Sequence, residues 1–108
     1  MSQDKRRSHR FPIRQLVDIS PNKENFFQAT GINISETGFY CQLEEPIDAY
    51  SRVYIMLEIP DEDPVELEGI VVRYEKKGKQ HFAAIEFSDL DDYMLTGIKH
   101  FIKTVAKS

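Results

Sequence analysis

The sequence predicts an all-β domain, a six-stranded antiparallel β-barrel followed by a C-terminal α-helix. Three observations support this: apolar and polar residues alternate with period two in six short segments, turn-forming residues separate these segments, and only the C-terminal segment has helical spacing. Short antiparallel strands leave unpaired edges unless the sheet closes or a helix covers an edge. We therefore expect a closed barrel with the helix packed against it.

The first three predicted strands occupy the N-terminal half of the chain. Pro12 biases the preceding residue toward an extended conformation, so a first strand is expected over residues 13–19. The Ser-Pro-Asn-Lys turn at residues 20–23 ends that strand. A second strand from about residue 25 to 34 and a third over residues 39–43 are predicted to form a hairpin.

Three further strands follow in the second half. Residues 53–59 alternate between apolar and polar side chains, as in a half-buried strand. A fifth strand is predicted over residues 65–74, with Gly69 permitting a bulge or a sharp bend. The lysine- and glycine-rich turn at residues 76–79 then leads into a sixth strand over residues 81–87.

The C-terminal segment carries a helix signal. Ser88 and Asp91 form an S-x-x-D start pattern close to a capping box. Apolar residues then recur at helical spacing, at Leu90, Met94, Ile98, Phe101, Ile102 and Val105. This spacing predicts one apolar helix face.

Composition indicates a single domain. The chain has 108 residues, of which 41% are hydrophobic and 30% charged, enough for one modest core. No apolar run approaches the ~20 residues that span a bilayer, and the charged N-terminus is unlike a signal peptide, so we expect no membrane association and a cytoplasmic location. Cys41 is the only cysteine, which excludes an internal disulfide, and its strand position predicts a small core residue.

The charge is unevenly distributed along the chain. Residues 1–14 carry five cations against one acid, a net of +4, which leaves −8 for the remainder of a chain whose total is −4. We expect residues 1–12 to form a flexible basic arm and residues 13–108 to form the barrel and helix. Arg6 and Arg10 are four residues apart and project to the same side in either an extended or a helical segment. Two planar guanidinium forks suit phosphates and guanine edges.

A second polar feature follows the second strand. Alternation along an extended chain places Ile32 and Ile34 toward a core and Asn33 and Ser35 outward together. Gly38 can adopt a backbone conformation that is closed to other residues. The expected result is a polar shelf beside a tight turn, suited to a planar polar ligand.

Together these two elements resemble the signature of the PilZ domain family, R-x-x-x-R followed by D/N-x-S-x-x-G. Arg6 to Arg10 matches the first motif and Asn33 to Gly38 the second. Residues 69–73 and 84–87 also resemble the fifth and sixth strands of the family, so the resemblance covers nearly the whole chain. It implies a six-stranded barrel that binds the bacterial second messenger cyclic di-GMP.

The resemblance assigns roles to four residues of the arm. Arg6 and Arg10 would form the clamp that bonds guanine edges and phosphates, with Arg7 as an additional phosphate or base contact. Family members with a basic residue just before the first motif arginine tend to bind an intercalated ligand dimer. Lys5 has that position, so the resemblance favours two ligand molecules per chain.

The shelf residues also receive roles from the resemblance. Asn33 and Ser35 would bond guanine, and Gly38 would leave room for the ligand and fix the turn. Asn33 stands where many family members have aspartate, which exchanges a charged acceptor for an amide.

The implied function is that of a cyclic di-GMP receptor or adaptor. Ligand binding would order the arm across the barrel mouth and change the surface that an unknown effector protein contacts. Outputs known for the family are motility, exopolysaccharide production and virulence. No cofactor other than this ligand is implied.

Two other classes of function stay open. Small barrels with basic arms bind single-stranded nucleic acid, although the acidic body and the single aromatic residue near the arginines, Phe11, argue against a nucleic-acid polymer. A ligand-independent protein-interaction adaptor is the other alternative, although such adaptors generally lack the arginine motif. The scattered histidines and lone cysteine predict no metal site, and no nucleophile motif predicts an enzyme.

Overall fold

The computed structural model describes residues 9–105, which form one closed antiparallel barrel and one helix. The strands are β1 (Phe11–Ser20), β2 (Phe27–Ile34), β3 (Gly38–Leu43), β4 (Arg52–Leu57), β5 (Val65–Lys77) and β6 (Gln80–Ser88), and the helix is α1 (Asp92–Val105). This confirms the predicted fold class. The first strand begins at Phe11, so the last two residues assigned to the arm belong to the barrel.

The strands follow the order β1-β2-β3-β6-β5-β4 around the barrel, and every neighbouring pair is antiparallel. Closure depends on a short ladder between β1 and β4, in which Ile19 lies opposite Ile55. Each of the six strands has two neighbours, although β1 pairs with β4 only over Asp18–Ser20. In this order β4 lies on the opposite side of the barrel from β3.

The barrel interior is filled by the apolar side chains that alternation predicts. Val53, Ile55 and Leu57 of β4 are fully or almost fully buried, while Tyr54 and Met56 between them are half-buried on the outer face. The same alternation places Cys41 of β3 in the core, as the sequence predicts. These residues and their counterparts on the other strands form one continuous hydrophobic core.

The helix packs its apolar face against the barrel. Ile98, Phe101 and Ile102 are buried in the same core, whereas Tyr93 is largely exposed. The carboxylate of Asp91 caps the helix by accepting a hydrogen bond from the backbone N–H of Met94 at 2.8 Å. The cap is therefore Asp91, the last residue of the predicted S-x-x-D pattern, and not its first.

Strand β5 contains a bulge, but not at the glycine. The pairing with β6 shifts between Val71 and Arg73, whereas Gly69 keeps regular pairs with Val53 and Phe87. A methyl group on Gly69 would lie 2.7 Å from the Ile85 side chain, so this glycine permits close packing inside the barrel. The bulge sets Arg73 opposite Ala84.

Candidate ligand-binding site

The motif loop, residues 33–38, joins β2 to β3 and is held together by the hydroxyl of Ser35. The Ser35 Oγ accepts a hydrogen bond from the Thr37 backbone N–H at 3.1 Å and lies 3.1 Å from the Thr37 Oγ1. The Ser35 N–H donates to the Gly38 carbonyl at 2.9 Å. The loop is therefore a closed, internally bonded turn.

Ser35 is fully buried, while Asn33 is half-buried and bonded to an exposed side chain. The expectation that both side chains face outward together is wrong for Ser35. The physical reason is that β2 ends at Ile34, so the alternation of an extended strand does not continue to the next residue. Ile32 is likewise only half-buried, because the pairing of β2 with β3 shifts between Gly31 and Asn33.

Gly38 is required by packing and not by its own backbone conformation. Among the glycines that the structure describes, only Gly78 has a positive φ, so the expected special conformation at Gly38 is wrong. A Cβ on Gly38 would lie 2.2 Å from the carbonyl oxygen of Ile85 in β6. The Phe87 N–H also donates to the Thr37 carbonyl at 2.8 Å, so a backbone hydrogen bond from β6 holds the motif loop in place.

Arg10 connects the two sequence motifs. Its Nη1 donates a hydrogen bond of 2.7 Å to the Oδ1 of Asn33, a residue 23 positions further along the chain. Strand pairing explains the meeting, because Pro12 lies opposite Asn33 and Phe11 opposite Ile34. This bond uses one of the five N–H donors that an arginine carries, and the contact is exposed at the barrel rim.

Lys5, Arg6 and Arg7, the other predicted arm contacts, lie outside the described residues. Of the predicted site residues that are described, Arg10 and Asn33 touch directly, and Ser35 and Gly38 form the base of the motif loop. We call these four residues the rim. It consists of an exposed pair, Arg10 and Asn33, and of a buried pair, Ser35 and Gly38, that supports the motif loop.

A groove separates the motif loop from the helix. It has a volume of about 300 Å³ and is lined by Phe11, Glu36, Lys99, Ile102 and Lys103. The groove thus touches the residue after Arg10, a residue of the motif loop and two lysines one helical turn apart.

The outer face beside Asn33 carries two further side chains that the sequence analysis did not single out. Tyr40 lies directly opposite Asn33 on β3, and the guanidinium carbon of Arg73 lies 6.0 Å from the Tyr40 ring centre. Nothing local in the sequence reveals this, because Arg73 reaches the site only through the β3-β6-β5 strand order and the bulge in β5.

The single cysteine of the sequence lies inside the barrel. Burial raises the pKa of the Cys41 thiol to about 12, so this thiol stays protonated inside the barrel. Within residues 9–105, no group of three or more His, Cys, Asp or Glu side chains is arranged to hold a metal ion. Over the same residues, no helix is long and apolar enough to cross a membrane.

Comparisons with known proteins agree with this architecture. The model of the PilZ domain family matches residues 4–104. Among solved structures, the inhibitor of motility MotI/DgrA of Bacillus subtilis superposes with a TM-score of 0.76 at 18% identity, covering 94% of this chain and 51% of that one. The chain thus spans about half the length of MotI/DgrA.

Two other similar structures contain cyclic di-GMP. The PilZ domain of YcgR from Escherichia coli with c-di-GMP has a TM-score of 0.75 at 12% identity, covering 94% of this chain and 92% of that one. The MrkH–c-di-GMP complex of K. pneumonia has a TM-score of 0.72 at 10% identity, covering 94% of this chain and 52% of that one. At these identities the structures establish the shared fold. A search among curated proteins found no match. Since the family model spans nearly all of the sequence and the barrel has the same fold, the chain belongs to the PilZ domain family.

Proposed function

We propose that the protein is a receptor for cyclic di-GMP that signals by binding and not by catalysis. Membership of the PilZ domain family supports this, as do the similar structures of the YcgR PilZ domain and of MrkH with c-di-GMP. A cyclic dinucleotide with two guanines and two phosphates needs cationic forks and polar groups that pair with a base edge. The rim around the motif loop offers both kinds of group.

The contact between Arg10 and Asn33 carries the proposal. Each belongs to a different half of the bipartite signature, and the 2.7 Å bond between them holds a guanidinium beside an amide at the barrel rim. In the proposed complex the Arg10 fork binds the O6 and N7 edge of a guanine or a phosphate, and the Asn33 amide pairs with the same base.

Ser35 and Gly38 act in this proposal mainly through the shape of the motif loop. Ser35 is fully buried with its Oγ already bonded to Thr37, so a guanine contact through that hydroxyl requires it to exchange a partner. Gly38 lets β6 approach closely enough to support the loop. Lys5, Arg6 and Arg7 complete the proposed clamp from the arm, and Lys5 favours an intercalated ligand dimer.

The proposed signal is a change in the surface that a partner protein contacts. A ligand held at Arg10 and Asn33 changes the surface at the barrel rim, and the groove formed by Phe11, Glu36, Lys99 and Lys103 lies between that surface and α1. The output belongs to a bacterial process such as motility, exopolysaccharide production or virulence, controlled through an effector protein in the cytoplasm.

Titration calorimetry with cyclic di-GMP tests the proposal. The wild-type protein is expected to bind, and Arg10→Ala to bind roughly tenfold to a hundredfold more weakly, because a charge-assisted hydrogen bond contributes about 1.5 to 3 kcal/mol. Arg52→Ala is the matched control, since Arg52 lies on β4, pairs with Glu68 at 2.8 Å and is 49% exposed.

Two results would contradict the proposal. An absence of binding by the wild-type protein overturns the ligand assignment. If the wild-type protein and a folded Arg10→Ala variant bind with equal affinity, the ligand site does not include Arg10. The stoichiometry from the same titration decides between one ligand molecule and a dimer.

A further inference from the structure

A row of paired residues continues from the motif loop across the outer face of the barrel. Asn33 of β2 lies opposite Tyr40 of β3, Tyr40 opposite Ala84 of β6, and Ala84 opposite Arg73 of β5. Directly opposite residues of antiparallel strands point to the same side of the sheet. The four side chains therefore share one face, here called the outer row, with Asn33 and its partner Arg10 at one end.

The bulge in β5 puts Arg73 in this row. Val71 is fully buried in the barrel, so a regular strand would direct Val72 outward and Arg73 inward. The register instead shifts between Val71 and Arg73, which leaves Val72 39% exposed and sets Arg73 opposite Ala84 on the outer face. Bulges are a common means of redirecting a side chain beside a functional site.

The chemistry of the outer row suits a purine base. The guanidinium carbon of Arg73 lies 6.0 Å from the Tyr40 ring centre, and the Tyr40 and Phe82 rings are nearly parallel, with centres 6.0 Å apart. Ala84 between Tyr40 and Arg73 has a small side chain, across which the Arg73 guanidinium reaches toward the Tyr40 ring. A half-buried aromatic ring beside an exposed arginine offers a stacking surface and a fork for a base edge.

The outer row has cations near both of its ends in a chain with a net charge of −4. Arg73 and Lys77 both approach Glu75, at 3.9 and 3.6 Å, and the Lys77 ammonium lies 5.3 Å from the Phe82 ring centre. Glu86 also faces outward on β6, two residues after Ala84. The cations on either side of the row can contact the phosphates of an anionic ligand.

We propose that the outer row is a second guanine subsite, in which the Tyr40 ring stacks on a base and the Arg73 fork binds its O6 and N7 atoms. The inference rests on the proposed function and extends it, because the rim at Arg10 and Asn33 holds one guanine and the outer row holds the next. The second base comes from the same cyclic dinucleotide or from a second molecule, and the stoichiometry of binding identifies which.

Calorimetry with two ligands tests the subsite through its selectivity. Adenine presents an amino donor where guanine presents the O6 acceptor, so an arginine fork discriminates between them. Arg73→Ala is expected to lower the affinity for cyclic di-GMP roughly tenfold and to reduce its preference over cyclic di-AMP by a similar factor. Arg73→Lys keeps the charge and is expected to recover less than half of the lost selectivity, because an ammonium has no fork.

Three further variants complete the experiment. Arg52→Ala removes an arginine on β4 that pairs with Glu68 and takes no part in the outer row, and it is expected to leave both affinities unchanged. Ala84→Leu adds bulk between Tyr40 and Arg73 without altering charge and is expected to weaken binding as Arg73→Ala does. Tyr40→Leu removes the stacking ring and is expected to weaken both ligands alike. Unfolding temperatures like that of the wild-type protein show that each variant is folded.

The results separate failure of the subsite from failure of the proposed function. Normal wild-type binding with Arg10→Ala impaired, but with Arg73→Ala unchanged or impaired equally for both ligands, overturns the subsite alone. No binding of cyclic di-GMP by the wild-type protein overturns both.

Discussion

The two halves of the rim differ in how the fold holds them. Ser35 and Gly38 are buried, bonded within the motif loop and packed on β6. Arg10 and Asn33 are joined by one exposed hydrogen bond and lie above that support. Buried groups with several partners contribute to stability, whereas an exposed pair contributes little.

The residues of a signature motif therefore need not all be ligand contacts. In the D/N-x-S-x-x-G stretch, the serine and glycine act first on the shape and rigidity of the loop, and the asparagine offers its amide at the surface. Stability and affinity should therefore respond to different substitutions. The following variants test that division.

Gly38→Ala is expected to have the largest effect. The added Cβ would lie 2.2 Å from the carbonyl oxygen of Ile85, and a backbone atom of a barrel strand cannot move aside as a flexible side chain can. Overpacking of this kind should lower the free energy of unfolding by about 3 kcal/mol or more. Denaturant titration followed by circular dichroism measures the change.

Gly78→Ala is the matched control for that substitution. Gly78 has a φ of 63° and nothing within 4 Å of the Cβ position, so only backbone strain is introduced. The expected loss is roughly 1 kcal/mol. A Gly38→Ala variant no less stable than Gly78→Ala would contradict the packing role of Gly38.

Ser35→Ala is expected to have an intermediate effect on stability. It removes the Oγ that accepts from the Thr37 N–H at 3.1 Å inside a buried turn. The loss should be about 1 to 2 kcal/mol, measured by the same denaturant titration. Ser51→Ala, which removes an exposed hydroxyl, should cost less than about 0.5 kcal/mol. Similar losses of stability in both variants would contradict a structural role for the Ser35 hydroxyl.

Asn33→Ala is expected to separate affinity from stability. Its side chain touches Arg10 at the exposed rim, so the free energy of unfolding should change by no more than about 0.5 kcal/mol. Affinity for cyclic di-GMP should fall about tenfold, because a base contact and the anchor of Arg10 are both lost. Parallel calorimetry and denaturant titration check this, and a large loss of stability would erase the distinction between the two halves.

Cys41 extends the comparison to the barrel interior directly beneath Tyr40. Burial raises the pKa of the thiol to about 12 from an ordinary value of 9.0, so the native thiol should be nearly unreactive toward a thiol reagent at pH 8. Above pH 9 the unfolded chain loses this proton while the folded chain keeps it, so ionisation favours unfolding between pH 9 and about 12. Rapid labelling of the native protein at pH 8 would contradict this burial.

Sequence periodicity was sufficient to predict the barrel, because apolar and polar residues alternate along each strand and the apolar ones all face the interior. It failed where the backbone departs from regular geometry. Ser35 turns inward because the strand ends one residue earlier, and Arg73 turns outward because the bulge lies after Val71 and not at Gly69. Asp91 caps α1 in place of Ser88, whose buried Oγ finds no partner among residues 9–105.

The candidate site was predictable only as far as its motifs are contiguous in sequence. Arg10 and Asn33 could be identified from their patterns, although the bond between them depends on the pairing of β1 with β2. Tyr40 and Arg73 belong to strands that are distant in the chain and become neighbours through β6. No local pattern contains that information, so the outer row required the strand order.

A titration with cyclic di-GMP followed by amide chemical shifts in NMR spectra tests the central claim most directly. We expect the largest shifts at Asn33 and in the motif loop, with further shifts at Tyr40 and Arg73, and almost none at Tyr54 and Met56 of β4, which lies across the barrel from β3. Unchanged spectra at saturating ligand, or shifts concentrated on β4, would contradict the account.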